Sequence, residues 1–224
     1  MQPYFLPYIG YWQLINTVDQ FVIYDDVNFI KKGYINRNSF LVNNSNFLFT
    51  LSVKNSSQNK KINEIFLQEI NQKILKTIKQ SYTKAPFFNN VYPLLEDMFL
   101  YKERNLVNFI IYSLKRISKY LNINTNFILS SSLNYNRSYS AEKKLIKICK
   151  ILNSKEYVNS FGGLELYNKE TFIKEGITLS FLKTNQCCYK QFRNPFIPNL
   201  SIIDVLMFND VNSITKLLSN YKLL

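Results

Sequence analysis

Ile9, Trp12, Leu14, Ile15 and Val18 are spaced to bury one face of a helix, which predicts a helix soon after the chain begins. Residues 21–24 form a short apolar run that stops at Asp25-Asp26, the signature of a buried strand opening into a polar loop. Residues 34–42 and 47–53 read as two strands joined through Asn43-Asn44-Ser45-Asn46, a run of turn formers that predicts a hairpin. Residues 62–67 fit either a strand or a helical turn. Helices follow over 71–81, where Ile74, Leu75 and Ile78 share a side, over 91–100 beyond Pro86, and over 106–121. In the last of these, Leu106, Ile110, Leu114, Ile117 and Leu121 make a core-facing stripe. Strands are then expected at 127–129, 157–158 and 178–182, and helices at 140–152, 201–208 and 213–221. Strands alternating with helices predict one α/β domain over residues 1–224: a mainly parallel sheet flanked by helices, with residues 70–121 as a helical layer.

Hydrophobic residues make up 46% of the 224 positions, enough for a packed core and against disorder. The net charge of +13 admits two origins. One is an anionic partner such as a phosphorylated sugar, an acidic carrier protein, nucleic acid or a membrane surface. The other is codon bias, since Lys, Asn, Ile, Tyr and Phe crowd the chain. The basic residues are scattered and match no recognised nucleic-acid motif, so no specific nucleic acid is expected. The apolar runs are too short for a membrane span. Three cysteines, two of them the adjacent Cys187-Cys188, suit a reducing cytoplasm, and Cys149 falls on an apolar helix face.

There is no histidine. Ser-His-Asp and Cys-His catalysis are therefore excluded, and proton transfer near neutral pH falls to Asp, Glu, Lys, Tyr, Cys or the substrate. Asp25 and Asp26 follow a strand at the edge where α/β sheets collect ligands. They are the candidate proton acceptors, with Tyr8 and Tyr11 assisting; a helix cap or turn is the structural alternative for the pair. A carboxylate pair also suits a divalent cation, but no metal site and no cofactor is assigned. Lys32, Asn36 and Arg37 follow in the next loop, where Arg37 suits a bidentate grip on a diphosphate. Gln2, Tyr4 and Gly10 join them through the first turn, Gly10 permitting close backbone approach. Ser131 and Ser132, Gly162 and Gly163, and Tyr189 and Gln191 are further substrate-binding candidates. Each has a plain structural reading as well: a turn, a turn, and a buried tyrosine with its neighbour.

The run from Gln2 to Ile15, then Asp25-Asp26-Val27, Lys31-Lys32-Gly33-Tyr34-Ile35-Asn36-Arg37-Asn38, Gly162-Gly163 with Leu166-Tyr167, and Pro198-Asn199-Leu200-Ser201-Ile202-Ile203-Asp204 together resemble the WbqC-like family. The resemblance implies a place in bacterial O-antigen and surface-polysaccharide biosynthesis. It implies a transferase that attaches an amino-acyl (glycyl) or acyl group to a nucleotide-linked amino sugar, with an acidic acyl-carrier protein as one possible donor. The alternative is a non-catalytic glycan- or nucleotide-binding protein of a biosynthetic complex. Two departures stand out: Cys187-Cys188 replaces a usual His-Pro, and the short apolar strand expected ahead of Gln2-Pro3 is absent. Residues 1–4 are accordingly expected at the carboxyl edge of the sheet. Tyr8-Ile9-Gly10-Tyr11 also has the spacing of a nucleotidyltransferase His-x-Gly-His loop, with tyrosine in place of both histidines, and by that likeness would cradle phosphate.

Overall fold

A computed structural model describes residues 1–54, 56–68, 72–193 and 195–224. The chain runs α1 (Ile9–Thr17), β1 (Gln20–Ile23), β2 (Arg37–Val42), β3 (Ser45–Thr50), β4 (Val53–Lys54) and β5 (Phe66–Leu67), with a 3-10 turn at Ile62–Glu64. Three helices follow, α2 (Gln72–Tyr82), α3 (Phe88–Leu100) and α4 (Leu106–Tyr120). The remainder is β6 (Asn126–Leu129), α5 (Ala141–Ile151), β7 (Glu156–Ser160), α6 (Lys169–Lys174), β8 (Thr178–Thr184), α7 (Ile202–Phe208), α8 (Val211–Leu218) and β9 (Tyr221–Leu223). The expected start of a helix at 71, and of a helical layer at 70, lies outside the described residues.

The protein is α/β, but its strands are not mainly parallel. β1 pairs parallel with β6 and β7 parallel with β8, whereas β2–β3, β4–β5 and β8–β9 are antiparallel. The hairpin explains part of the difference. Asn43 and Asn44 both take positive φ, +52° and +59°, which makes a two-residue turn whose twist suits antiparallel neighbours. Residues 219–223 explain another part. The helix expected to 221 stops at Leu218, and Tyr221–Leu223 instead pairs with Leu182–Thr184.

α2 packs on α3 and α3 on α4, stacking the middle of the chain as helices, while α1 lies against α8, β7 and β8. Asn105 caps α4 by accepting from the N–H groups of Val107 and Asn108. The main core gathers around Trp12, Phe5, Phe40, Phe99 and the α4 stripe. A smaller one holds Ile146, Cys149, Phe172, Ile177, Leu179 and Phe181.

Between the two parallel pairs lies a cavity of about 540 Å³, walled by β1, β7, α5 and Met1. The Met1 amino group donates to the Val22 carbonyl at 2.8 Å, and the Tyr24 N–H donates to the Met1 carbonyl at 2.7 Å. These two bonds are one rung of parallel pairing along β1, and they deliver Gln2 to Tyr4 to the end of that strand. Burial lowers the ammonium pKa to about 5.

Candidate functional site at the carboxyl ends of the strands

β1 and β6 end side by side, so Asp25-Asp26 meets Ser130-Ser131-Ser132. Asp25 is 1% exposed. Its Oδ1 accepts from Ser130 Oγ at 3.0 Å and from the Ser131 N–H at 2.9 Å. Its Oδ2 accepts from Ser131 Oγ at 2.7 Å and Asn63 Nδ2 at 3.2 Å. Asp26 Oδ1 accepts from Ser130 Oγ, and Tyr135 Oη reaches both Asp26 oxygens at 3.0 and 2.9 Å. Ser130 has one proton for two carboxylates, so it serves them in turn. Arg137 Nε lies 2.9 Å from Asp26 Oδ2, and the same guanidinium donates to the carbonyls of Ser130, Ser131 and Tyr135.

Burial pushes the Asp26 carboxyl up, but hydrogen bonds from Ser130, Tyr135 and Arg137, with the charge of Arg137, outweigh it and hold the pKa below the ordinary value. The folded state thus binds this proton less tightly than the unfolded chain. Its contribution to stability is present above the unfolded carboxyl pKa, about 3.9, and is lost as pH falls through the folded value. Thermal unfolding followed below pH 4 should show this as an acid limb that is shallower in Asp26→Asn.

A second group lies where Met1 hands the chain to α1. Tyr4 is ringed by Tyr34, Tyr11 and Tyr8 at centroid distances of 5.6, 5.9 and 6.5 Å. Burial, then the neighbouring Tyr34 and Tyr8, raise the Tyr4 pKa against the opposing charge of nearby Arg37. Burial also raises Tyr8 and Tyr11, so these hydroxyls stay neutral donors. Tyr34 is 60% exposed, and with half-buried Tyr4 and Arg37 it makes an aromatic and cationic shelf. The loop beneath is held under strain: Leu6 is fully buried with φ +46°. Asn38 Nδ2 donates to the carbonyls of Phe5 and Leu6, and Ser201 Oγ donates to the Leu6 carbonyl at 2.7 Å.

The sequence candidates therefore fall into two groups: Asp25, Asp26 and Ser131, and Tyr4, Tyr8, Tyr11 and Arg37. Among the described residues no hydrogen bond or ring contact joins them directly. The other candidates are placed as follows. Gln2 offers its carbonyl to Tyr11 Oη at 2.8 Å. A Cβ on Gly10 would stand 2.5 Å from the Tyr8 ring and 2.6 Å from Thr184 Oγ1, so the approach Gly10 permits is by these side chains. Lys32 is exposed at φ +61°. Asn36 is buried, its amide donating to the Leu51 carbonyl at 2.8 Å. Ser132 is exposed and bonds back to the Leu129 carbonyl at 2.7 Å. A Cβ on Gly163 would meet Asn159 Nδ2 at 2.5 Å, while Gly162 faces open space. Tyr189 Oη and Gln191 Nε2 both donate to Asp204 Oδ1 at 2.7 Å, in the protein interior. α7 is capped by Ser201, which accepts from the Ile203 N–H, and Asn199 takes φ +57°.

Tyr135, Asn63 and Asn38 escape a reading of the sequence. Each stands far along the chain from the groups it serves, and only Asn38 falls within a motif. Proximity of Arg137 to the serine run is the one hint that the loop after β6 carries charge.

Among the described residues no helix is long and apolar enough to cross a membrane. The family model described as the WbqC-like protein family matches residues 2–216. An uncharacterised Mycobacterium tuberculosis protein, Rv1507c, is 25% identical over 214 residues, covering 93% of this chain and 91% of that protein. No solved structure matches.

Proposed function

The chain belongs to the WbqC-like family, and on that premise we propose that it transfers an acyl or amino-acyl group to a nucleotide-linked amino sugar in cytoplasmic surface-polysaccharide biosynthesis. The observation that carries this reading is the meeting of Tyr4, Tyr34 and Arg37 in one shelf, together with a strand-end network in which an exposed hydroxyl reaches a buried carboxylate. A base or sugar stacks on the tyrosines, and Arg37 takes the diphosphate. Holding amine and activated carbonyl together supplies much of the rate enhancement. The remaining need is a proton acceptor for the attacking amine. Asp25 itself is enclosed, but Ser131 is exposed and its hydroxyl donates to Asp25 Oδ2. Ser131 relays the proton: it accepts one from the amine as it passes its own to Asp25. Arg137 neutralises Asp26 and keeps the loop after β6 in place.

One observation favours the second reading, a binding protein without catalysis. Asp25 and Asp26 are both enclosed by internal donors, as a structural anchor would be. Mass spectrometry of the protein incubated with nucleotide-linked amino sugars and acyl or glycyl donors separates the two. Transfer product establishes the enzyme; a thermal shift without product establishes binding alone.

Both readings share a prediction about the shelf. Tyr34→Ala removes a stacking partner worth about 0.5–1.5 kcal/mol and should weaken nucleotide-sugar binding roughly 2- to 12-fold by calorimetry. Arg37→Ala removes a charge-assisted contact of about 1.5–3 kcal/mol, so the loss should be roughly 10- to 150-fold. Tyr34 is mostly exposed, so the unliganded melting temperature of Tyr34→Ala should stay unchanged. Unchanged affinity in both variants would remove the shelf from the site.

A further inference from the structure

A second cavity, of about 450 Å³, opens past the end of β8. Its walls include Tyr8 and Ile9 at the start of α1, residues 184–189, Phe196, residues 198–200 and Val205. Part of its polar lining is satisfied within the protein. Asn185 Nδ2 donates to Asn220 Oδ1 at 3.0 Å, Tyr189 Oη donates to Asp204, and Cys187 Sγ lies against the Asn185 carbonyl and the amides of Gln13 and Asn220. The rest of the lining is largely carbon, from Tyr8, Ile9, Phe196, Pro198, Leu200 and Val205, with Gln186, Cys188 and Asn199 at exposed positions on its rim.

One residue, Tyr8, separates the cavity from the shelf. Tyr8 lines the cavity and also stands 6.5 Å from Tyr4, ring to ring. Gly10 fixes that partition, because any larger residue there would push the Tyr8 ring and Thr184 out of place. A largely apolar cavity of this size, one ring away from the shelf that takes the nucleotide-linked sugar, suits the hydrocarbon part of the second substrate.

We propose that this cavity is the acyl subsite, and that the donor carries an apolar acyl chain of several carbons rather than a glycyl group. The proposal rests on the transferase reading above. A glycyl group has no chain with which to displace water from these carbon walls, so it gains nothing from them. A carrier thioester fits the proposal: the amine bonds to the acyl carbon, the carbon–sulfur bond breaks, the thiolate leaves and takes back the proton that the amine gave up through Ser131 to Asp25, and the chain stays in the cavity until the amide departs.

The test is calorimetry of the intact protein with S-alkyl pantetheine thioethers, which mimic the carrier arm and cannot react. Hexyl should bind at least about tenfold more tightly than ethyl, since each buried methylene contributes about 0.8 kcal/mol. Gln186→Trp and Pro198→Trp each place a ring in the cavity from a separate exposed position. Each should erase the preference for hexyl while changing ethyl binding by less than about twofold. Equal affinity for ethyl and hexyl, or a hexyl preference that survives both substitutions, overturns the acyl subsite. Nucleotide-linked amino sugar titrated into the same samples keeps the two ideas apart. Its failure to bind the unaltered protein sinks the shelf, whereas intact sugar binding with no chain preference sinks only the cavity.

Discussion

Asp204→Leu should lower the unfolding free energy by about 3–5 kcal/mol, a large share of the 5–15 kcal/mol typical of a domain. Asp204 is fully buried on α7. Tyr189 Oη and Gln191 Nε2 donate to its Oδ1 at 2.7 Å, and Tyr82 Oη donates to its Oδ2 at 2.7 Å. The Tyr82 oxygen in turn accepts from the Leu41 N–H at 2.9 Å. One carboxylate therefore ties α7 to α2, β2 and the 189–197 loop. Leucine fills the volume and leaves three buried donors without an acceptor, each costing about 1–3 kcal/mol before relaxation. The melting temperature should fall by roughly 6–20 °C. A fall below about 2 °C would show that water or rearrangement satisfies the three donors.

The same residue sets a pH signature. Burial raises the Asp204 pKa, and the bonds from Tyr189, Tyr82 and Gln191 offset only part of the shift. The folded state holds this proton more tightly than the unfolded chain. Stability from this group is full below the unfolded pKa, about 3.9, and declines as pH rises through the folded value. Asp26 runs the opposite way, so the two carboxylates work against each other in mild acid. Asp204→Asn removes the declining component and leaves that of Asp26.

The contrast between these aspartates shows what a sequence discloses. Asn43-Asn44 announces its hairpin because positive φ is a local property of the residue type. The apolar stripe of α4 announces its helix for the same reason, and the helix spans Leu106–Tyr120. Asp25-Asp26 is legible as a strand-end pair, but its partners are not. Ser130, Ser131, Tyr135 and Arg137 lie more than a hundred residues away and arrive only because β1 and β6 pair in parallel. Tyr189 and Gln191 look like ligand groups from their chemistry alone; the network around Asp204 appears only once α7 is packed. The expectation of a mainly parallel sheet fails similarly. Alternating elements fix which segments are strands, while their direction depends on turn geometry and on late pairings such as Tyr221–Leu223 with β8.

Asp25→Asn should reduce turnover by roughly 10²–10⁴-fold, the range for losing a positioned proton acceptor, while leaving the melting temperature nearly unchanged. The chemical half of this follows from Ser131, whose hydroxyl donates to Asp25 Oδ2 at 2.7 Å. An amide has no charge to draw that proton, so the relay from the substrate amine stops. The structural half follows from which donors can adapt. The Ser131 N–H on Oδ1 is fixed, so the asparagine oxygen takes that side. Its NH₂ then faces the Ser131 hydroxyl and the Asn63 amide, one of which rotates and the other flips to present an acceptor. Asp25→Leu allows no such exchange and should destabilise by about 2–6 kcal/mol, because at least two buried donors lose their partner. Ser131→Ala completes the set. It should lower turnover by a comparable factor through the same relay, with little change in melting temperature because Ser131 is exposed. Full activity in both Asp25→Asn and Ser131→Ala would make the strand-end carboxylate an anchor alone. A collapse of Asp25→Asn in the melting curve, with Ser131→Ala unaffected in turnover, would lead to the same conclusion.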